Sequence, residues 1–327
     1  MTDRPPTRGP MLRQILAVVL VTLVTLAAIE VLLRLTNLRV LREGSSERSL
    51  TYEHDAELGW APSPHSRSVV SSARTIQAQH NSLGFRDIEF ARDDRPVMLF
   101  LGDSFVWGVD AEADERFTEL LRARIPNYRT VNAGVSGYGT DQEYLWLQRI
   151  WPQIQPSVVV LIFCTANDRL DNGTNVRYEG SLKPYFATAA DGGLELRGQP
   201  VPLSRQLYIK QYWLIRHVWL ARLATFAYVS IRNPQVFVPD PTEKLVTKIR
   251  QFAESHGARL LVGLQARDEA LMQHLASDRI PFVTLDGAES YGVFGEHWTP
   301  AGHRLVADRL FGLLSDNKLV TGDQPGR

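Results

Sequence analysis

The sequence predicts an α/β protein in which the strands of a mainly parallel sheet alternate with helices. Three strand-like segments, residues 97–101, 130–132 and 158–163, each run into small or polar residues. Segments with helical spacing separate them, which is typical of βαβ units. Because ligands bind at the carboxyl ends of the strands in open α/β sheets, these polar segments predict a functional site.

The same patterns predict the remaining elements. Glycine, proline and aromatic residues mark residues 172–239 as an insertion, and we expect its aromatic helical part, residues 206–232, to cap the ligand-binding face. Further helices are predicted over 116–124, 140–151, 241–255 and 268–276, further strands over 259–264 and 281–285, an amphipathic helix after residue 303, and mixed loops with short strands over 51–94.

The amino-terminal segment predicts a membrane anchor. Residues 15–34 are almost uniformly apolar, and a helix of that length, at about 1.5 Å per residue, approaches the roughly 30 Å hydrocarbon core of a bilayer. No small-x-small cleavage site follows, so an uncleaved signal anchor is favoured over a removed signal peptide or a buried helix. The numbers of basic residues before and after this segment are similar, so charge alone does not predict its orientation in the membrane. We divide the rest into residues 1–14, a linker 35–50, a domain 51–315 and a tail 316–327.

Composition favours a single enzyme-sized domain after the anchor. The chain has 327 residues, 44% of them hydrophobic, and equal numbers of acidic and basic residues, so it lacks the charge that would attract nucleic acid. A single cysteine excludes an internal disulfide. The sequence has no phosphate loop, dinucleotide fingerprint or His-Glu-x-x-His helix, and we expect neither a cofactor nor a metal.

Ser104 is a candidate nucleophile because it follows a buried strand, on a turn whose amide groups point outward. A glycine-rich turn follows the next strand at Gly134, and a polar turn follows the third at Asn167. His297 lies near the carboxyl terminus, just before the last predicted helix. Together these residues offer a hydroxyl, a base and hydrogen-bond donors for an oxyanion.

In these four blocks the chain resembles the SGNH (GDSL-type) hydrolase superfamily. Block by block, Ser104 matches the nucleophile, Gly134 and Asn167 match the oxyanion donors, and His297 matches the base. Segments 81–87 and 137–142 resemble a membrane-anchored bacterial branch. The resemblance implies a three-layer α/β/α fold with a mainly parallel, flavodoxin-like five-stranded sheet, in which the amide of Ser104 also faces the oxyanion.

The chain departs from this family at two places. Thr165 stands where the third block carries glycine, and no carboxylate stands three or two residues before the histidine, at Phe294 and Gly295. The acid that orients His297 is therefore open. Asp286, Glu289 and Glu296 are candidates, and a Ser-His dyad held by a backbone carbonyl is the alternative.

The resemblance implies a serine esterase that acts on an acylated glycan or another envelope ester. An O-acyltransferase on an extracytoplasmic glycan and a non-catalytic domain that binds polysaccharide are the alternatives, and a lipid-directed esterase lies between them. Arg86 and Asp168 are candidates for substrate contact, against structural roles in an ion pair and a turn. We expect an inner-membrane protein with its catalytic domain in the periplasm.

Overall fold

The chain forms two compact units in a computed structural model that describes residues 9–44, 50–177, 180–292 and 296–320. Unit 1 comprises residues 1–44 and 205–234, and unit 2 comprises residues 45–204 and 235–327. The predicted insertion 172–239 is therefore divided, because its helical part belongs to unit 1 and its flanks belong to unit 2.

Unit 2 is built on a five-stranded parallel sheet. In chain order the strands of the described residues are β1 (Tyr52–Asp55), β2 (Gly59–Pro62), β3 (Arg67–Ser71), β4 (Thr75–Gln79), β5 (Val97–Gly102), β6 (Arg129–Asn132), β7 (Val158–Phe163), β8 (Val176–Arg177), β9 (Ser181–Leu182), β10 (Tyr185–Thr188), β11 (Leu194–Arg197), β12 (Arg259–Leu264) and β13 (Phe282–Thr284). The central sheet has the order β13-β12-β7-β5-β6. This is the flavodoxin-like order, and it confirms the predicted fold class.

Helices cover both faces of this sheet. In chain order the helices are α1 (Gly9–Thr36), α2 (Ser104–Trp107), α3 (Phe117–Arg124), α4 (Thr140–Ile154), α5 (Asp168–Asn172), α6 (Arg205–Gln211), α7 (Trp213–His217), α8 (Trp219–Arg232), α9 (Thr242–Ser255), α10 (Glu269–Ser277) and α11 (Pro300–Asp316), with 3₁₀ turns at Arg39–Leu41 and Ala113–Glu115. Alternate strand residues point to opposite faces, so Leu99 and Leu161 pack in the core under α4, α9 and α10, whereas Phe100 and Val160 pack in the core under α3 and α11.

The order in which strands are added to the sheet reverses between β5 and β7, and this point positions the site. After β5 the next strand, β6, lies on one side of it, and the following strand, β7, lies on the other side, both parallel to β5. A crevice forms at such a point outside the carboxyl ends of the strands. Gly102, at the end of β5, therefore delivers the next residues to this crevice.

Unit 1 consists of α1 with α6, α7 and α8. Residues 11–36 of α1 form a helix long and apolar enough to cross a membrane, with none of that apolar window buried in the structure. At its carboxyl-terminal end Leu33 packs with Ile215 and Trp219 against a buried cluster of Leu41, Ile209 and Phe226. The carboxyl-terminal end of the apolar helix therefore packs against a small cluster of helices.

Candidate active site

Ser104 begins a short helix directly after the central strand β5. Asp103 caps this helix, because its Oδ1 accepts a hydrogen bond from the amide of Phe105 at 2.9 Å. Gly108 ends the helix with a φ of 85°, a left-handed conformation that favours glycine. Ser104 itself is 9% exposed, so its hydroxyl lies in a nearly closed part of the crevice.

His297 reaches Ser104 from the loop before α11. Its Nε2 lies 2.9 Å from Ser104 Oγ, a hydrogen-bond distance, although the two residues are 193 positions apart. The loop is fixed locally, since the amide of Tyr291 donates to the carbonyl of His297 at 2.9 Å and Ser290 pairs with Trp298. The ring of Phe105 lies beside the imidazole, with ring centroids 5.2 Å apart.

A carboxylate lies behind the imidazole, and it is Asp110. Asp110 Oδ2 is 3.6 Å from His297 Nδ1, and the Asp110 side chain is 1% exposed. The residue has a φ of 64°, in the left-handed region where Asp is among the residues that fit best. The amide of Arg74, in the turn after β3, donates to Asp110 Oδ1 at 3.0 Å. The hydroxyl of Ser104, the imidazole of His297 and the carboxylate of Asp110 therefore lie next to one another in that order.

Asp110 is ionised in this environment. Burial raises the pKa of this carboxyl, but the neighbouring imidazole of His297 and the hydrogen bond from the amide of Arg74 outweigh that cost and hold the pKa below its usual value. A carboxylate at this position favours one tautomer of His297 and stabilises the imidazolium that forms when the base takes a proton.

Arg86 holds the loop that carries Asp110, and the structure does not place it as a substrate contact. Its side chain is buried, and its guanidinium donates to the carbonyl oxygens of Trp107 at 3.2 Å, Gln77 at 3.0 Å and Ala111 at 2.7 Å, and also to that of Gly108. The guanidinium also stacks over the ring of Trp107. These contacts are with main-chain carbonyls and an aromatic ring, whereas the structural alternative predicted from the sequence was an ion pair.

The structure does not bring the three acids proposed from sequence to His297. Glu289 Oε2 accepts a hydrogen bond from the Thr299 hydroxyl at 2.6 Å, and Glu296 is exposed with a φ of 48°. Asp286 is half-buried, and among the described residues it forms no hydrogen bond or ion pair with the imidazole. Positions 294 and 295, where the family carries its acid, lie outside the described residues.

Sequence reasoning missed Asp110 because it searched only the residues before the histidine. Asp110 lies six positions after Ser104, on the nucleophile's own loop. Two signals could have pointed to it. Asp110 follows a Gly-Val pair at the end of the nucleophile turn, and Asp favours such left-handed turn positions. The lack of an acid beside His297 was the second signal.

The two oxyanion donors proposed from sequence, Gly134 and Asn167, lie just after β6 and β7. Both donate hydrogen bonds to other side chains of the protein. The amide of Gly134 donates to Asn132 Oδ1 at 3.0 Å, and Asn132 in turn donates to the carbonyl of Val106 at 2.7 Å. Asn167 Nδ2 donates to Asp171 Oδ2 at 2.7 Å and to Asp168 Oδ1 at 3.2 Å. A side chain at Gly134 would lie 2.3 Å from the amide nitrogen of Trp107, so only glycine fits there.

Asp168 belongs to a cluster of buried carboxyls and is not exposed to a substrate. Asp168 Oδ2 accepts a hydrogen bond from the amide of Cys164 at 2.8 Å. Burial raises the pKa of each carboxyl in this cluster, which consists of Asp103, Asp141, Glu143, Asp168 and Asp171, and it raises that of Asp171 to about 6.

Two buried cations pair with the carboxyl cluster. Lys183 bonds to Asp141, and Arg177 lies 2.6 Å from Asp171. The carboxyls outnumber these cations, and burial disfavours their charged forms.

One group of side chains in the described ranges has the spacing of a metal site. Potential ligand atoms of Asp103, Cys164 and Asp168 lie within 4.8 Å of one another. Both carboxylates already accept bonds from main-chain amides, and burial raises the pKa of the thiol well above its usual value. This donor set fits a hydrogen-bonded brace under the nucleophile better than it fits a cation.

The structure brings a serine and a histidine together at the carboxyl edge of a flavodoxin-like sheet. The sequence profile of the GDSL-like Lipase/Acylhydrolase family matches residues 100–305, which is more than half of the chain. The chain belongs to this family, as the four sequence blocks predicted. A membrane-anchored branch within it stays a prediction.

Solved structures with similar folds include two described as esterases. TesA is 15% identical in sequence, with 67% of this chain and 98% of that chain covered and a TM-score of 0.40. The psychrotrophic esterase EstA from a Pseudoalteromonas species is 10% identical, with 68% and 98% covered and a TM-score of 0.40. The acetyl xylan esterase AlAXEase is 12% identical, with 66% and 98% covered and a TM-score of 0.38. No curated protein matches the sequence.

Proposed function

We propose that the protein is a serine esterase in which Ser104, His297 and Asp110 form the catalytic triad. The observation that carries the proposal is the array itself, with His297 2.9 Å from the Ser104 hydroxyl and Asp110 3.6 Å behind the ring. Membership of a lipase and acylhydrolase family agrees with ester hydrolysis.

In the proposed mechanism His297 Nε2 takes the proton of Ser104 while Oγ attacks the ester carbonyl carbon. The tetrahedral intermediate collapses, the C–O bond of the ester breaks, and the imidazolium returns the proton to the departing alcohol. Water then attacks the acyl-serine with His297 again as base, which releases the acid and regenerates Ser104. Asp110 is a positioning residue that keeps Nδ1 protonated and stabilises the positive ring.

The oxyanion donors in this mechanism are the amides of Ser104 and Gly134 and the side-chain amide of Asn167. Substrate must compete with Asn132 for the Gly134 amide and with Asp171 for the Asn167 amide, since both donors are engaged without substrate. Each donor that turns toward the oxyanion contributes on the order of 100- to 1000-fold in rate. The support for these roles is their position at the ends of β6 and β7.

For substrate we propose O-acyl esters of an envelope glycan, with the domain outside the cytoplasm. This rests on the resemblance stated above and on the apolar amino-terminal helix. A reporter fused after Arg327 tests the orientation. We expect alkaline phosphatase to be active there and a cytoplasm-dependent fluorescent protein to be dark, and the reverse pattern would overturn the periplasmic assignment.

Hydrolysis of p-nitrophenyl acetate by the detergent-solubilised full chain tests the activity. We expect turnover that Ser104→Ala lowers by on the order of 10⁵-fold or more, as for other serine nucleophiles, together with labelling of Ser104 by a serine-directed phosphonate. A chain that neither hydrolyses the ester above buffer nor takes the label is not a serine esterase. Acetylated glycans compared with long-chain esters then test the substrate class, since preference for long chains would contradict it.

A further inference from the structure

The outer face of helix α8 in unit 1 is apolar although nothing in the described part of unit 1 covers it. Arg222, Phe226 and Val229 form the inner, buried face, at the spacing of one side of a helix. On the other side Leu223, Tyr228 and Ile231 are 40%, 57% and 79% exposed. A helix that is apolar on both sides is ordinarily buried on both sides, so this face requires a partner.

The neighbouring helix α7 and the end of α1 extend the same apolar surface. Tyr212, Trp213 and Leu214 are 48%, 72% and 57% exposed, and Leu35 is 78% exposed. Tryptophan and tyrosine are the residues enriched where a membrane meets water, because their rings are apolar and their edges are polar. We call this surface, formed by residues 212–214 and the outer side of α8, the apolar platform.

Charge in this segment differs from that of the chain as a whole. Residues 205–234 contain five basic side chains and no acidic one, whereas the whole chain has 36 of each sign. Basic residues beside an apolar helix face are the pattern of helices that lie in the interface of anionic membranes.

Polar contacts tie the platform to the carboxyl-terminal end of α1. Glu30 accepts hydrogen bonds from the amides of Trp219 and Leu220 at 3.0 and 2.8 Å, and so caps the amino terminus of α8. Arg34 pairs with Glu30 at 2.7 Å and donates to the carbonyl of His217. Arg222 donates to the carbonyls of Leu41 and Ile215, at 2.6 and 2.8 Å.

These contacts give α1 a structural role that a removed signal sequence would not have. Without α1, the amino terminus of α8 would lose its carboxylate cap, and Leu33 would no longer cover the cluster of Leu41, Ile209 and Phe226. The carboxyl-terminal end of a membrane-spanning helix lies at the surface of the bilayer, so helices fixed to that end lie there too.

We propose that α7 and α8 form a second membrane contact, which lies in the headgroup region of the bilayer that α1 crosses and prefers anionic lipid. The proposal rests on the proposed anchor. Its partner is the lipid surface rather than a second protein, because these helices are fixed to the end of the apolar helix and the charged side chains of residues 205–234 are all basic, although Arg216 lies near an acidic residue, Glu43, at 3.4 Å.

Site-directed spin labelling of the full chain in lipid nanodiscs tests the proposal. Single cysteines replace Trp213, Tyr228 or Ile231. The native Cys164 is buried and should not take the label, so the unsubstituted chain serves as the blank. In nanodiscs with anionic lipid we expect collisions with oxygen to exceed those with a water-soluble nickel chelate at all three positions. Val69→Cys and Ile88→Cys are matched controls, because these apolar residues of unit 2 are similarly exposed, at 53% and 57%, and should remain water-accessible.

Two further readings separate the outcomes. A label at Val21, in the middle of α1, reports the anchor alone, so an aqueous platform with a lipid-embedded Val21 overturns the platform but leaves the anchor. Dipolar broadening between labels at Ile231, with shielding from both reagents, would show a second copy as the partner and also overturn the proposal. Neither result depends on esterase activity.

The charge component has its own test. Replacing Arg216 and Arg232 with Gln should reduce the platform labels' immersion in anionic nanodiscs toward the value in neutral ones, and leave Val21 unchanged. Equal immersion in both lipids, with and without the substitutions, would contradict the preference for anionic lipid.

Discussion

At the scale of residues, the sequence left one member of the proposed triad open. Ser104 and His297 lie together as the order of the motifs indicated, and the carboxylate beside the ring is that of Asp110. Local sequence could place the serine and the histidine because each follows a recognisable strand or precedes a recognisable helix. It could not place Asp110, since only the folded loop brings that carboxylate behind the ring.

Replacing Asp110 with Asn tests this assignment. The amide keeps the volume but removes the charge that stabilises the imidazolium, so we expect kcat to fall by on the order of 10³-fold or more. Glu289→Gln and Glu296→Gln are matched controls that should stay within about threefold of wild type, and a large loss in either would return the acid to the histidine loop.

The buried carboxyl of Glu143 predicts a pH dependence of stability. Burial and the nearby Asp103, Asp141 and Asp171 raise its pKa well above 4.5, and in the described residues neither oxygen has a hydrogen-bond partner. A group whose folded-state pKa is raised stabilises the fold below its unfolded pKa and loses that contribution as pH rises toward the folded value.

Glu143→Gln removes this titration and should therefore change the pH profile of unfolding. Relative to wild type, the variant should gain stability as pH rises from about 5 to 9, by at most about 1.4 kcal/mol per pH unit. Chemical denaturation at several pH values measures the difference. Glu254→Gln, at an exposed position on α9, should give a flat difference, and a flat difference for Glu143→Gln as well would show that its carboxyl titrates normally.

At the scale of elements, the sequence predicted the central sheet well and the insertion less well. Strands β5, β7 and β12 are apolar on both faces because helices cover both sides, and such runs are easy to recognise. The four antiparallel hairpins have strands of only 2 to 5 residues, which are too short to show a clear alternating pattern. Helices α6 to α8 showed aromatic spacing, but their packing partner, α1, lies far away in sequence.

Two glycines test how closely the elements pack. At Gly134, a Cβ would lie 2.3 Å from the Trp107 amide nitrogen, so Gly134→Ala must push the end of β6 away from helix α2. We expect a loss of several kcal/mol or of folded protein. Gly312, inside α11, has open space around its Cβ position, and Gly312→Ala should stabilise by about 0.5–1 kcal/mol. Thermal unfolding of the two variants should therefore shift in opposite directions, and a neutral Gly134→Ala would contradict the close contact.

At the scale of the whole molecule, the proposed triad and the proposed membrane anchor lie in separate units. Every residue of the proposed triad belongs to unit 2, whereas the apolar helix belongs to unit 1. Composition predicted one domain, because total length and charge do not reveal that residues 205–234 pack with the amino terminus rather than with the sheet. Pattern analysis could find the helices, but the division requires the tertiary contacts.

Removing residues 1–44 should separate these two properties. In detergent we expect the shortened chain to hydrolyse p-nitrophenyl acetate with kcat/KM within about threefold of the full chain. Without detergent it should aggregate, because Ile209 and Phe226 lose the cover of Leu41 and Leu33. Size-exclusion chromatography with light scattering measures the state, and a monodisperse, detergent-free monomer would show that unit 1 does not depend on α1.

Because Asp110 lies near Ser104 in the sequence, the segment that carries His297 does not have to supply a carboxylate as well. In the proposed triad, nucleophile and acid lie six residues apart on one loop, so only the imidazole must be brought in from a distant part of the sequence. Loops of different length or composition could then be grafted between β13 and α11 provided that they deliver the ring at the same point. Such a scaffold would allow the entrance of the crevice to be redesigned without rebuilding the proton-transfer partners.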